Sequence, residues 1–135
     1  MSDYTKPLPI PSPESKPFWQ AARDHRLSLP KCSNCSQIRF PPSDHCSACG
    51  DATHEWVDLS GVGRVFSFVT YRRLYNKGWE GELPYIVAVV ELAEGPRILS
   101  TLVGIEPEEV LCDMEVKVVF DDVTDNVSLP KFIPA

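Results

Sequence analysis

The chain has 135 residues, 43% of them hydrophobic and 24% charged, with a net charge of −6. That balance belongs to one ordinary globular domain or two small ones, and no apolar run approaches the roughly 20 residues that span a bilayer. The negative excess lies entirely in residues 57–135, which hold thirteen acids against seven bases, so the basic face that neutralises phosphates is missing and nucleic acid is argued against as a partner.

The amino terminus, Met1-Ser2-Asp3-Tyr4-Thr5-Lys6, has no apolar region or small-residue cleavage site of a signal peptide, so a cytoplasmic location is expected. Prolines at 7, 9, 11, 13 and 17 predict an extended lead, read as a mobile tail in preference to a docking arm. Ser15 to Arg26 then reads as a short helix, with a serine at the cap and Pro17 in the first turn. Phe18, Trp19 and Ala22 share one side of it at helical spacing. Three turns cannot stand alone in water, so Phe18 and Trp19 must pack on this chain or on another protein.

Arg26-Leu27-Ser28-Leu29 alternates as a strand should and leads into Cys32-Ser33-Asn34-Cys35. After ten intervening residues comes Cys46-Ser47-Ala48-Cys49-Gly50. Two such pairs supply what a tetrahedral four-thiolate site needs, each short turn aiming two sulfurs at one ion. Disulfides conflict with the missing signal peptide, and a redox dithiol calls for a βα junction that neither pair has. Cys32, Cys35, Cys46 and Cys49 are therefore read as ligands of a structural Zn2+, with iron the remaining alternative because geometry alone does not separate the two. Four thiolates leave no coordination position open for water, so such a metal holds structure and does no chemistry. His45 and His54 flank the second pair and are read as surface or supporting residues.

Residues 58–135 carry strand signals throughout. Val65–Tyr71 is β-branched and aromatic, Tyr85–Leu92 is nearly continuously apolar, as in a strand buried on both faces, and Arg97–Val103 returns from the turn Ala93–Pro96. One helical turn is expected over Pro107–Leu111. Met114–Phe120 alternates as a half-buried strand, and Val127–Ile133 supplies the last. Five strands with a helical break after the third predict a Greek-key barrel of the OB type. The organisation expected is a lead and short helix over 1–26, a ribbon over 27–57 and a barrel over 58–135, mainly β in class.

Cys112 stands alone and is expected to be a buried free thiol. Asp121-Asp122-Val123-Thr124-Asp125 lacks the spacing and glycine of a calcium loop and reads as a solvated turn. The loop Tyr71–Gly81 gathers Tyr71, Arg72, Arg73, Lys77 and Trp79, a mixture suited to stacking on a base beside a phosphate or to anchoring a protein interface, though by its residues alone it reads first as an ordinary surface hairpin. No nucleophile–base pair, paired catalytic carboxylates or phosphate-cradling glycine loop is visible.

In order, Pro17-Phe18-Trp19, Leu27-Ser28-Leu29-Pro30-Lys31-Cys32, Phe40-Pro41-Pro42, Gly63-Arg64-Val65-Phe66-Ser67-Phe68, Leu83-Pro84-Tyr85-Ile86-Val87 and Leu129-Pro130-Lys131-Phe132-Ile133-Pro134 resemble the acyl-CoA-associated proteins that join a rubredoxin-like zinc ribbon to an OB-fold. The resemblance implies a non-catalytic accessory subunit, in a hetero-oligomer with a thiolase-like enzyme (thiolase, acyltransferase or steroid side-chain aldolase) whose acyl-CoA site it supports. It also implies partner or CoA contacts from Phe18, Trp19 and the Tyr71–Trp79 loop. Ser36 and Asp113 depart from the family, which usually has glycine at both turn positions.

Overall fold

The computed structural model describes residues 4–135. The helix α1 (Lys16–Arg23) ends earlier than the sequence predicts. Ser15 stands at its start, yet its side chain caps no helix amide; the hydroxyl accepts from the Ser12 amide at 2.9 Å instead. Asp24 closes the helix, and His25, at φ +59°, turns the chain toward the ribbon. Phe18, Ala21 and Ala22 form the buried side of α1, which packs on the first and last strands.

Strands β1 (Leu27–Cys32) and β2 (His54–Leu59) pair antiparallel as a two-stranded ribbon, with Leu29 opposite Val57 and Cys32 opposite His54. β2 runs past residue 57, where the sequence reading divides ribbon from barrel. Only Ser60 and Gly61 separate it from β3 (Val62–Tyr71). Gly61 has φ +81°, and a Cβ there would overlap Val118 Cγ1, closer than packed carbons allow. The Gly61 carbonyl accepts from Val118 N at 2.8 Å, and Ser60 N donates to Glu94 Oε2 at 2.8 Å.

β3, β4 (Tyr85–Leu92), β5 (Arg97–Leu102), β6 (Glu115–Asp122) and β7 (Ser128–Pro134) close the expected five-stranded barrel in the order β3-β4-β5-β7-β6, with β6 returning to β3. A bulge between Val65 and Ser67 shifts the register with β4, which adds the bend a strand needs to serve two neighbours. Val65, Val90, Val116 and Phe132 are fully buried at the centre. A 3-10 turn at Pro107–Glu109 stands where the helical break was expected.

Two expectations are corrected. β4 is not buried on both faces: Ile86, Ala88, Val90 and Leu92 face the core, while Val87 and Val89 are only half covered. A small closed barrel has one interior, so an apolar strand within it still turns every second side chain outward. Cys112 is exposed, in the loop before β6. No helix among the described residues is long and apolar enough to cross a membrane.

Candidate functional site

The two cysteine pairs fold alike. Ser36 N donates to the Cys32 carbonyl at 2.9 Å, and Gly50 N donates to the Cys46 carbonyl at 2.8 Å. Both closing residues are left-handed, Ser36 at φ +67° and Gly50 at φ +79°. Glycine adopts that conformation freely and serine does so at a cost, so the first knuckle keeps the shape despite its sequence departure. The knuckles place Cys32 Sγ 3.6 Å from Cys49 Sγ and Cys35 Sγ 3.5 Å from Cys46 Sγ. All four sulfurs lie within 4.8 Å of one another. Thiolates bound tetrahedrally at about 2.3 Å would have edges of about 3.8 Å, so this donor set fits a single metal ion.

The electrostatics point the same way. Amide hydrogen bonds from Cys49 and then Ala48 pull the Cys46 thiol down to about 6. The Cys35 amide chiefly lowers Cys32. At Cys35 the Gln37 amide pulls down, but the Cys46 sulfur, burial and the other two sulfurs outweigh it and push that thiol up to about 12. Four neighbouring sulfurs cannot all ionise unaided; a cation among them removes the conflict.

Arg39, overlooked in the sequence, holds the loop between the pairs. It is buried, and its Nε and Nη2 both donate to the Ser43 carbonyl, at 2.9 and 2.7 Å. His54 Nδ1 lies 3.2 Å from Arg39 Nη2, a supporting position, and His45 is exposed. Neither histidine belongs to the sulfur cluster.

The other predicted contact residues divide. Phe18 is 5% exposed, its ring 5.0 Å from Trp19 and 6.1 Å from Phe40. It belongs to the core and reaches the outside only at the wall of the groove beside Trp19. Trp19 is half-buried and lines an apolar groove of about 450 Å3 with Phe40, Leu99, Leu129 and Pro130. At the far end of β3, Tyr71 pairs across the sheet with Tyr85. Their rings stack at 4.9 Å, Trp79 stacks on Tyr85 at 5.8 Å, and Tyr75 meets Tyr71 edge-on at 6.1 Å. Burial, then the neighbouring Tyr71 and Tyr75 hydroxyls, push the Tyr85 phenol up. Arg73 lies 5.7 Å over the Tyr75 ring, and Arg72 reaches Glu108 at 3.5 Å. Lys77 opens a 3-10 turn, Lys77–Trp79, which Asn76 caps by accepting from Gly78 N at 2.7 Å. The sequence marks Tyr85 only as a strand residue; its place opposite Tyr71 depends on register, which one sequence does not display.

A sulfur-knuckle ribbon running directly into a five-stranded barrel of this order defines a metal-ribbon/OB-fold protein. Residues 19–55 match the ChsH2 rubredoxin-like zinc ribbon domain, and residues 56–121 match the ChsH2 C-terminal OB-fold domain. The chain belongs to that family. It is 31% identical to the solved structure of the Ltp2-ChsH2(DUF35) aldolase and superposes with a TM-score of 0.86, covering 94% of this chain and 98% of that one. A subunit of the benzoylsuccinyl-CoA thiolase of Thauera aromatica, BbsA, is 31% identical over 129 residues, 87% of each chain. A protein of Thermomonospora curvata named "probable enoyl-CoA hydratase alpha subunit" is 32% identical over 130 residues. Those cover 96% of this chain and 40% of that relative, so the chain spans well under half its length.

Proposed function

We propose that this chain is a non-catalytic accessory subunit that docks onto a thiolase-like enzyme and supports its acyl-CoA site. The observation that carries the reading is the family match across both parts of the chain, with relatives named as a benzoylsuccinyl-CoA thiolase subunit and as part of an aldolase. The site agrees with it. Four sulfurs at metal spacing make a closed ligand set, which stabilises a ribbon and leaves no open position for a reacting group.

Zn2+ on Cys32, Cys35, Cys46 and Cys49 is the occupant proposed, in keeping with the zinc ribbon family and the all-sulfur donors. It would hold residues 27–57 together as a ribbon ahead of the barrel of 58–135, with 1–26 as lead and helix. Partner or CoA contacts are assigned to Trp19, beside its apolar groove, and to Tyr71, Arg72, Arg73, Lys77 and Trp79. Aromatics that keep part of their surface open beside arginine and lysine are the side chains that anchor interfaces.

The test is co-expression with a thiolase-like protein. A co-eluting hetero-oligomer that turns over an acyl-CoA, when neither chain alone does, supports the reading. Separate elution at micromolar concentration, or turnover by this chain by itself, refutes it.

A further inference from the structure

The loop assigned to the partner is already occupied by this chain's own lead. Lys6 is the informative residue. Its side chain is only 13% exposed, unusual for a lysine, and Trp79 and Glu82, which it touches, lie more than seventy residues away in sequence. Its Nζ donates to Glu82 Oε1 at 2.7 Å, stands 5.2 Å from the centre of the Trp79 ring and 5.9 Å from that of Tyr4. A cation held between a carboxylate and two aromatic rings is bound by charge and by the ring quadrupoles together. Tyr4 shares the burial: desolvation first, then Asp121 and Glu82, push its phenol up.

The backbone is seated as closely as the side chain. A Cβ on Gly78 would lie 3.0 Å from Lys6 Cα, 3.0 Å from the Thr5 carbonyl oxygen and 2.9 Å from Lys6 Cγ. Residues 5 and 6 thus run directly over the turn that presents Trp79. Only a residue without a side chain at position 78 permits that approach.

We propose that residues 4–6 are an intramolecular strap, with Lys6 filling a cation site on Trp79 and Glu82, and that a partner using the Trp79 loop must displace it. The displacing group has matching chemistry: a lysine or arginine side chain of the partner, entering between the Trp79 face and the Glu82 carboxylate. The competition rests on the accessory-subunit reading; the strap itself does not. The expectation of a mobile tail is corrected at residues 4–6 only; the prolines keep residues 7–13 free of helix and strand, so the strap is fastened at one end and tethered at the other.

Hydroxyl-radical footprinting on the full-length chain tests this, with Trp79 oxidation measured against Trp56 as internal reference. Lys6→Glu sets a carboxylate against Glu82, and Gly78→Ala lifts the backbone away by contact alone. Each should raise the Trp79 rate by roughly threefold or more, the low end for losing a direct contact. Combined, they should do no more than the larger single effect, because both remove the same contact. Lys6→Arg keeps a cation over the ring and should stay within about twofold of the parent. An unchanged Trp79 rate in Lys6→Glu overturns the strap. In titrations with the thiolase-like partner, Lys6→Glu should bind roughly threefold tighter; equal or weaker binding overturns the competition. If no complex forms with either chain, the accessory-subunit reading fails, and the footprint still decides the strap.

Discussion

Replacing Phe18 with alanine separates core from contact surface. A buried phenylalanine takes roughly 150–250 Å2 out of water, which at about 25 cal/mol per Å2 is a gross 4–6 kcal/mol. The alanine retained at 18 recovers part of that, and the groove beside Phe18, Trp19 and Phe40 lets neighbours relax into the space. The loss should fall at the low end for buried phenylalanines, about 3 kcal/mol, or about 10 °C in Tm for a chain of this length. Urea unfolding at fixed excess zinc, followed by circular dichroism, measures it, with the midpoint falling and the slope unchanged. A loss under about 1 kcal/mol in a folded variant would refute the placement of Phe18 inside the core. Trp19→Ala supplies the contrast, because its half-exposed ring should cost little stability but weaken partner affinity by at least about tenfold.

Cys46→Ser should abolish stoichiometric metal binding and release residues 27–57 to fast amide exchange, while the barrel amides of β3 to β7 stay protected. Retained zinc at one equivalent by mass spectrometry would contradict the four-sulfur assignment. Ser36→Gly should raise stability by about 0.5–1 kcal/mol, because it removes a left-handed serine at φ +67° at some gain in unfolded-chain entropy; a loss on thermal melting would show that the Ser36 side chain matters more than its backbone. Glu91 is held below the ordinary carboxylate range by its hydrogen bonds to Arg64 and then Arg97. A depressed carboxylate gives stability that is present above its unfolded value and lost as pH falls through its folded one. Arg64→Met should therefore move the Glu91 carboxyl titration upward, read by carbon NMR, and shift acid unfolding to higher pH; an unmoved titration would deny the ion pair its role.

The cysteine turns were legible because their geometry is local. Two residues between sulfurs fix the loop, and the departures at Ser36 and Asp113 fall on residues that are left-handed in the fold, at φ +67° and +70°. Alternation likewise exposed β6, and β-branched content exposed β3. What stayed hidden was long-range. Tyr85 meets Tyr71 only through the barrel register, Lys6 and Glu82 lie 76 residues apart, and buried Arg39 looks like any loop arginine until Ser43 folds back on it. The expected two-sided burial of β4 failed for a related reason. Composition reports how apolar a strand is, but closure of the sheet decides which side is covered.

The Ser60–Gly61 junction makes the ribbon a rigid handle. Two residues, tied to Glu94 and Val118, leave no slack between the last ribbon strand and the first barrel strand, so torque applied at the sulfur knuckles passes straight to β3 and on toward Tyr71 at its far end. One residue added there would have to break the tie to Glu94 or to Val118, or move the ribbon relative to the barrel. Insertions are therefore barred from the linker, where domain boundaries usually welcome them, and the span between knuckles and aromatic loop behaves as a fixed gauge.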